Sequence, residues 1–481
     1  MMWKKPNIVL IVVDALRARN LGLYGYHKDT SPNINEIARN GVIFENAFSC
    51  SNCTDPSFTS IMTGKHPISH GIIHHGVVPR DEVKEYYSRG NKNLAEILKL
   101  NGYTTMALSW LERWHKKGFD YYEYYGGVET TTLKRTVKNV LNKLPTTIRR
   151  SISDILMSIV YKANILDAKN ITNHAMKLIK KNVDRQPFFL LIHYMDTHLP
   201  YNPGNKKEDD FFEETANNER IKDVLKRIKN PRWRKFLKKS LGNVKTTDEV
   251  IAKYDAAIAY VDENIGRLVE FIEKQGIKED TIIVLTADHG ESLTEHGVYF
   301  SHHCLYDETI HVPLVIQYAN LPSRRISNLV QHVDILPTIL DLLNIKINVE
   351  TDGKSLIPLI EGNSEEDRLA IFAEEAGGYR KRAIRTNRWK YIQDVEGEPI
   401  SGFESAKAPK RREICKYCGF KHMEAISLYD LNKDPKEYFN IAEDRPDITV
   451  IMRSILRDWE VSKKRKAEKQ KITSKIIKFN L

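Results

Sequence analysis

The stretch SCSNCTDPSFTSIMTGKHP, residues 49–67, contains two candidate nucleophiles, Cys53 and Thr54. An Asp-Pro pair follows them, and Gly64 comes later, so the pattern predicts the start and the stop of a short helix. Exposed N–H groups at a helix N-terminus favour an alkoxide and the anionic group that it attacks. We therefore expect nucleophilic chemistry at this point, the alternative being that Thr54 is an ordinary capping residue.

Three apolar runs, NIVLIVVDA, PFFLLIHYMDTHLPY and TIIVLTADHGE, are each followed by acidic or imidazole side chains. Uninterrupted runs of this length are typical of parallel strands that are buried on both faces. In open α/β sheets, ligands bind outside the carboxyl ends of the strands. One shared site is therefore predicted from the residues at these ends, which are Asp14, Asp196, His198, Asp288 and His289.

The elements that position these residues form an α/β pattern, which predicts a large, mostly parallel sheet sandwiched between helices. We expect a catalytic α/β domain at residues 1–369, with helical insertions at about 120–181 and 204–249. Short strands and turns then predict a smaller antiparallel α+β subdomain at 370–460. The basic segment 461–481 is expected to be a frayed tail.

The composition favours a folded chain with anionic partners. The 481 residues are 41% hydrophobic and carry a net charge of +11. This charge fits an anionic small molecule, a lipid head group or a glycan, and the basic segments also allow peripheral membrane contact. The basic run LKRIKNPRWRKFLKKS is either a solvated helical face or a platform for an anionic substrate. No nucleic-acid-binding motif is present, and the sequence does not indicate an oligomeric state.

The N-terminal apolar run, Ile8 to Val13, is too short to span a bilayer and ends in an acid rather than a cleavage site. Without a signal peptide or a membrane-spanning stretch, we expect a soluble, cytoplasmic protein.

The five cysteines are too few for a disulfide framework in a chain of this length. Two CxxC pairs could build a structural zinc site if they meet in space, the alternative being buried thiols. These pairs are Cys50 with Cys53 and Cys415 with Cys418.

Several motifs, taken together and in order, resemble those of the sulfatase family of the alkaline phosphatase-like superfamily. They are NIVLIVVDALRARNLGLYGY, PSFTSIMTGKHP, HYMDTHLPY, ADHGESLTEHG, LYDETIHVPLVI, HVDILPTILDLL, DGKSLIPLI, RTNRWKYI and LYDLNKDPKEYFNIAED. The resemblance runs from the first strand to about Asp444. It implies the sulfatase fold with a smaller C-terminal subdomain.

The resemblance also implies roles for individual residues. A divalent metal would be held by Asp14, Asp288 and His289 together with the oxygen of the nucleophile. His198 would face the substrate or the leaving group, and His303 would contact the transferred group. The segment RWHKKGFD echoes a family substrate-binding segment, which makes Arg113 and His115 candidate substrate contacts.

The predicted metal is Zn or Mn in preference to Mg or Ca, because imidazole is a poor calcium ligand. A second metal would need further ligands. The nearest spare side chains in the sequence are Asp196, His296 and His302.

The sequence departs from the family at the nucleophile. Sulfatases carry Cys-x-Pro-x-Arg, or Ser in place of Cys, and convert the first residue to formylglycine. Alignment on TGKHP puts Thr54 at the nucleophile position and Phe58 at the Arg, while Cys53 comes one residue too early. Because Thr carries a methyl group on Cβ, its oxidation would give a ketone, and we expect no formylglycine.

This departure favours phosphate chemistry. The second hydroxyl of a formylglycine hydrate can expel sulfate, whereas a sulfated Thr has no such exit. Water can instead attack the phosphorus of a phosphorylated Thr in line, or the phosphoryl group can pass to an acceptor. The resemblance points the same way, because phosphodiesterases and phosphotransferases of this superfamily use Thr nucleophiles. We therefore predict cleavage of a phosphate mono- or diester through Thr54. The alternatives are a sulfuric ester hydrolase and a non-catalytic binding protein that retains the fold.

Overall fold

The structure is a computed structural model of the chain. It describes residues 5–76, 78–125, 167–185, 187–228, 230–346, 349–363, 368–376, 380–395 and 426–479, with the side chains of 232 and 471–479 excepted.

A large sheet of eight strands forms the centre of the molecule. Its strands are β1 Asn7–Val13, β2 Val42–Phe48, β3 Thr104–Ser109, β4 Tyr121–Tyr124, β5 Phe188–Tyr194, β6 Thr281–Ala287, β7 Leu314–Gln317 and β8 Arg324–Gln331. Their spatial order is β4-β3-β5-β1-β6-β7-β2-β8. The central strand β1 pairs in parallel with β5 and β6, and β7 alone runs antiparallel to its neighbours. Every residue of β1, β5 and β6 is buried, which explains their uninterrupted apolar sequences.

Helices cover both faces of this sheet. They are α1 Pro32–Arg39, α2 Thr54–Thr63, α3 Pro67–His70, α4 Arg80–Ser88, α5 Leu94–Leu100, α6 Ala168–Asn182, α7 Ile221–Arg227, α8 Pro231–Leu241, α9 Thr247–Lys274, α10 Asp307–Ile310, α11 Ile335–Leu342, α12 Ile357–Glu361 and α13 Pro446–Phe479. Short 3₁₀ turns lie at Ala18–Asn20, Gly22–Tyr24, Arg113–Lys116, Glu208–Phe211, Glu295–Gly297 and His332–Asp334.

Alternate residues of β1 enter separate apolar cores on the two faces of the sheet. Val9, Ile11 and Val13 pack into a core with α6 and α9. Ile8, Leu10 and Val12 pack into a core with α2, α5 and α11. This arrangement confirms the predicted α/β class and fixes the end of β1 at a single place in the sheet.

The predicted antiparallel C-terminal sheet is confirmed. It contains β9 Ile371–Glu374, β10 Lys381–Arg385, β11 Trp389–Asp394 and β12 Ile426–Asp430, in the order β12-β11-β10-β9. The backbone N–H of Glu374 donates to the carbonyl oxygen of Cys50 at 3.0 Å. The small sheet therefore lies beside the loop that leads into α2.

The structure differs from the sequence prediction at two segments. The expected helical insertion at 120–181 begins with the edge strand β4, and residues 126–166 lie outside the described part. The expected frayed tail instead continues the long helix α13 to Phe479. This helix is docked, because the ammonium of Lys463 lies 2.7 Å from Asp352 Oδ1 and that of Lys466 donates to the carbonyl of Thr351 at 2.9 Å.

Within the described ranges, no helix combines the length and the apolar character that crossing a membrane requires.

A buried ion network joins the small sheet to the large domain. The fully buried ammonium of Lys390, on β11, lies 2.7 Å from Asp307 Oδ1 and 2.7 Å from Glu437 Oε1. Arg385 Nε adds a second contact, 3.2 Å from Asp307 Oδ2. Asp307 begins α10, so the network fixes the segment that immediately precedes this helix.

We predict that Lys390→Met destabilises the fold by about 3–5 kcal/mol, because it removes the cation that pairs with the buried Glu437 and leaves the buried Asp307 with its longer contact to Arg385. Urea denaturation would measure the change. The control Lys464→Met removes a half-exposed partner of Glu460 and is expected to cost less than about 1 kcal/mol. Equal effects of the two substitutions would contradict the assigned importance of the buried network.

Candidate active site

Two buried carboxylates lie side by side at the carboxyl edge of the large sheet. Asp14 follows β1 and Asp288 follows β6, and these strands pair in register up to Val13 and Ala287. Asp288 Oδ1 accepts hydrogen bonds from the N–H groups of Ala15 at 3.1 Å and His289 at 2.9 Å. Its Oδ2, and both carboxylate oxygens of Asp14, are buried without a hydrogen-bond partner in the described part of the chain. Burial, and then repulsion from Asp288, raises the pKa of Asp14 well above its ordinary value.

Two imidazoles complete this acidic centre. His289 Nε2 lies 3.5 Å from Asp14 Oδ1 and 3.4 Å from Asp288 Oδ2. Since His289 Nδ1 lies 2.8 Å from the carbonyl oxygen of Gly290, it must carry the proton of a neutral ring, which leaves the Nε2 lone pair facing the carboxylates. On the other side, His193 Nε2 lies 3.8 Å from Asp14 Oδ2.

This set of donors fits a divalent cation. One ligand atom from each of Asp14, His193 and Asp288 lies within 4.8 Å of the others, and all three residues are buried. Three carboxylate oxygens of Asp14 and Asp288 have no hydrogen-bond partner among the described residues of this dry site, so the site requires a positive charge. Imidazole donors suit Zn or Mn better than Ca.

The three spare ligands suggested for a second metal lie outside this cluster. Asp196 Oδ1 is occupied by Ala168 N at 3.2 Å and Asn202 Nδ2 at 2.8 Å. The ring of His296 stacks on that of Tyr306 at 3.6 Å, and the ring of His302 lies 4.4 Å from that of His289. The described residues contain no second group of side chains arranged to hold a metal ion.

Thr54 reaches the acidic centre, whereas Cys53 does not. Thr54 is the first residue of α2 and is buried, with its Oγ1 3.3 Å from His289 Nε2. Cys53 Sγ instead donates to the carbonyl oxygen of Ala376 at 2.6 Å, and burial raises the pKa of this thiol. One turn into α2, the ring of Phe58 lies 4.9 Å from the ring of His193.

The acid that follows Thr54 is neutralised by its own imidazole partners. Asp55 Oδ2 lies 3.0 Å from His75 Nδ1, and Asp55 Oδ1 lies 3.3 Å from His115 Nε2. The predicted His115 is therefore brought beside the start of α2. Arg113 is exposed, and no hydrogen bond or ion pair joins it to this group within the described residues.

A row of imidazoles leads from the acidic centre toward solvent. The ring centre of His302 lies 4.4 Å from that of His289, and the ring centre of His303 lies 5.6 Å from that of His302. His198 is half-buried, with its ring 6.5 Å from His289 and 5.7 Å from His302. The predicted His198 and His303 thus lie on the open side of the centre.

The structure describes one of the two CxxC pairs of the predicted zinc site. Cys50 and Cys53 are buried free thiols, whereas Cys415 and Cys418 lie outside the described residues.

His193 was not predicted from the sequence as a site residue, and His302 was considered only as a spare ligand for a second metal. His193 lies inside an otherwise apolar strand, opposite Val12 of β1. The sequence did contain a signal for His193, because a histidine inside an apolar strand that is buried on both faces needs a polar partner.

We predict that the chain binds a single Zn or Mn ion and that Asp14→Asn and His193→Gln each weaken binding at least about tenfold. Metal content after dialysis, measured by mass spectrometry, provides the test. Asp196→Asn is the control, because this buried carboxylate is hydrogen-bonded outside the cluster. Loss of metal in the control alone would contradict the assignment.

We also predict a pH-dependent contribution of Asp55 to stability. Burial would raise the pKa of Asp55, but hydrogen bonds from His115 and His75 outweigh it and lower this pKa below 3.8. Burial would lower the pKa of His75, but Asp55 outweighs it and raises this pKa above 6.5.

The stabilisation by Asp55 is complete above pH 3.8, and it is lost as the pH falls through the lowered pKa of Asp55 in the folded state. The stabilisation by His75 is complete below pH 6.5, and it is lost as the pH rises through the raised pKa of His75 in the folded state. Urea unfolding of the wild type and Asp55→Asn should therefore differ most between pH 3.8 and 6.5. The exposed Asp81→Asn is the control. A difference that grows steadily above this window would be inconsistent with the pairing.

Comparison with known proteins identifies the family of this fold and site. The profile of the Sulfatase family matches residues 6–345, and that of the C-terminal part of N-sulphoglucosamine sulphohydrolase matches residues 294–413. An ulvan-active sulfatase of Formosa agariphila is 27% identical over 431 residues, which cover 84% of this chain and 76% of the relative.

Solved structures share the fold. A protein in complex with its substrate D-glucosamine-2-N,6-O-disulfate has a TM-score of 0.67 and 20% identity, with coverage of 96% of this chain and 99% of that one. The phosphonate monoester hydrolase of Agrobacterium radiobacter has a TM-score of 0.65 and 19% identity, with coverage of 95% and 96%. The match of the Sulfatase profile over most of the chain shows that this protein belongs to the sulfatase family.

Proposed function

We propose that this sulfatase-family enzyme cleaves a phosphate mono- or diester through a covalent intermediate on Thr54. The observation that carries the proposal is the position of Thr54 Oγ1, 3.3 Å from His289 Nε2 at the edge of the acidic centre. The thiol of the neighbouring Cys53 donates instead to the carbonyl oxygen of Ala376 at 2.6 Å, and its Sγ lies 3.4 Å from His302 Nδ1. The hydroxyl of Thr54 is therefore the nucleophile that this site supports.

Asp14, Asp288, His193 and His289 are the residues proposed to hold the metal. A bound divalent cation would supply Lewis-acid stabilisation of the anionic substrate and of the Thr54 oxygen. The position of Thr54 at the N-terminus of α2 adds partial positive charge from the first backbone N–H groups of that helix.

The imidazoles on the open side take the remaining roles. Thr54 gives up its hydroxyl proton to water and its Oγ1 bonds to phosphorus, while the bond from phosphorus to the leaving oxygen breaks. His198 donates a proton to that oxygen, and His303 binds non-bridging oxygens of the phosphoryl group. Water, or an acceptor hydroxyl, then attacks phosphorus and gives its proton to His198, while the bond from phosphorus to Thr54 Oγ1 breaks and this oxygen takes a proton from water.

The side chain of Thr54 favours phosphoryl over sulfuryl transfer. Its methyl group prevents formation of an aldehyde hydrate, so a sulfate ester on Oγ1 would lack a neighbouring hydroxyl to expel it. A phosphate ester needs no such group, because water can attack phosphorus in line. The phosphonate monoester hydrolase among the structural neighbours acts, by its name, on a phosphorus centre within the same fold.

Sulfate ester hydrolysis is the second candidate. The ulvan-active sulfatase and other curated relatives are sulfatases by name, and they cover most of this chain. This candidate requires that an unmodified Thr54 turn over a sulfated intermediate. The two candidates therefore predict different relative rates of hydrolysis for a phosphate ester and for a sulfate ester with the same leaving group.

We predict that the metal-loaded protein hydrolyses a nitrophenyl phosphate mono- or diester faster than nitrophenyl sulfate. Thr54→Ala should lower kcat at least about 1000-fold by removing the nucleophile, and Thr54→Ser should retain much of the activity. Steady-state kinetics with Zn and Mn would measure both effects.

The matched control is Thr63→Ala, at the other end of α2, where the hydroxyl donates to the carbonyl oxygen of Thr59 at 2.6 Å. It should retain activity. Dominant sulfate turnover that depends on Thr54 would establish the second candidate, and full activity in Thr54→Ala would refute a covalent role for this residue.

A further inference from the structure

We propose that residues 219–245, termed here the basic insertion, bind a polyanionic glycan that extends outward from the active site. This proposal rests on the proposed function, because it takes the ester that is cleaved at Thr54 to be one group on a larger glycan. The basic insertion contains eleven Lys or Arg residues and two acids, so it accounts for most of the net charge of +11. The C-terminal segment 461–481 is similarly basic, but Lys463 and Lys466 of that segment bind Asp352 and Thr351.

The two ends of the basic insertion are hydrogen-bonded to each other and to the start of α9. The N–H of Ile221 donates to the carbonyl oxygen of Lys245 at 2.8 Å, and the N–H of Thr247 donates to that of Glu219 at 2.9 Å. The guanidinium of Arg227 donates to Tyr299 Oη at 3.0 Å and lies 5.3 Å from the centre of that ring. The insertion thus rests on the loop that leads to His302 and His303.

A continuous series of rings joins the acidic centre to this surface. Beyond His303, the next ring is that of Trp233 on α8, with its centre 6.2 Å away, and the ring of Phe236 stacks on it at 5.0 Å. Exposure increases along the series, from the buried His289 through the half-buried His303 and Trp233 to Phe236, which is 44% exposed. The series therefore marks a track from the reacting group to solvent.

The outward face of α8 is charged and polar. Leu237 and Leu241 are buried against the body, whereas four cationic side chains are exposed beside Phe236, namely Arg234, Lys235, Lys238 and Lys239. A helix that lies on a membrane presents a broad apolar face. Here that face is covered, and Phe236 is the exposed aromatic side chain of α8.

This combination fits a hydrated sugar chain that carries several anionic groups. An aromatic ring offers an apolar surface to the face of a sugar ring. The surrounding ammonium and guanidinium groups attract sulfate, phosphate or carboxylate substituents at successive positions. The basic insertion would thereby hold the part of the substrate that is not cleaved.

Binding of a dextran sulfate oligosaccharide to the metal-loaded Thr54→Ala protein tests the inference without requiring turnover. We expect binding by calorimetry that weakens with salt, and no binding of uncharged dextran. The substitutions Lys235→Gln, Lys238→Gln and Lys239→Gln, combined, should weaken binding at least about tenfold. Phe236→Ala should weaken binding of dextran sulfate but not of inorganic polyphosphate.

The matched control is Lys177→Gln, Lys180→Gln and Lys181→Gln, combined. These lysines are also exposed on a helix, α6, but near its C-terminal end, which precedes β5 and lies away from the carboxyl edge of the sheet. This variant should bind dextran sulfate as the parent does.

In the active wild type, dextran sulfate should also inhibit hydrolysis of nitrophenyl phosphate, and the triple substitution in α8 should weaken that inhibition. Equal binding by the α8 and α6 variants would overturn the inference. So would stronger binding to phosphatidylserine vesicles or to polyphosphate than to dextran sulfate, since either would assign the surface to another partner. If no nitrophenyl ester is cleaved, the proposed function fails, while the binding measurements still decide the inference.

Discussion

The repulsion between two buried carboxylates, Asp14 and Asp288, is the constraint on which the site depends. Pairing of β1 with β6 in register brings them to one edge of the sheet, where burial deprives both of water. Charges this close in a medium of low dielectric constant need a cation or a proton between them. The unpartnered oxygens of Asp14 are therefore the strongest structural argument for a metal. The apolar strands that hold them, each buried on both faces, supply the rigidity that keeps like charges together.

The surrounding side chains divide according to whether they serve this centre or are satisfied elsewhere. His289 turns its Nε2 toward the carboxylates because its Nδ1 is committed to the carbonyl oxygen of Gly290. Asp55 is also buried and is adjacent to Thr54, but His75 and His115 neutralise it. This acid therefore does not compete for the cation. Lys390 acts at longer range, because its contact with Asp307 joins the small sheet to the segment that follows His303.

Much of this arrangement could be predicted from the sequence because it depends on local patterns. An apolar run that ends in an acid placed Asp14 and Asp288 at the edge of the sheet, and an Asp-Pro pair placed Thr54 at the start of α2. His193 was not found, because its partner is on a neighbouring strand and pairing register cannot be read from one strand alone. The docked tail was missed for a similar reason, since its basic residues bind Asp352 and Thr351 from a distant loop.

The central claim is that Thr54 carries a phosphoryl group during turnover. Its most direct test is rapid acid quenching of the metal-loaded protein with nitrophenyl phosphate or nitrophenyl sulfate, followed by mass spectrometry of the peptide that contains Cys53 and Thr54. The account predicts a phosphate adduct on Thr54 with the phosphate ester, no adduct with the sulfate ester, and an unmodified Cys53. A sulfate adduct on Thr54, or oxidation of Cys53 to formylglycine, would contradict it.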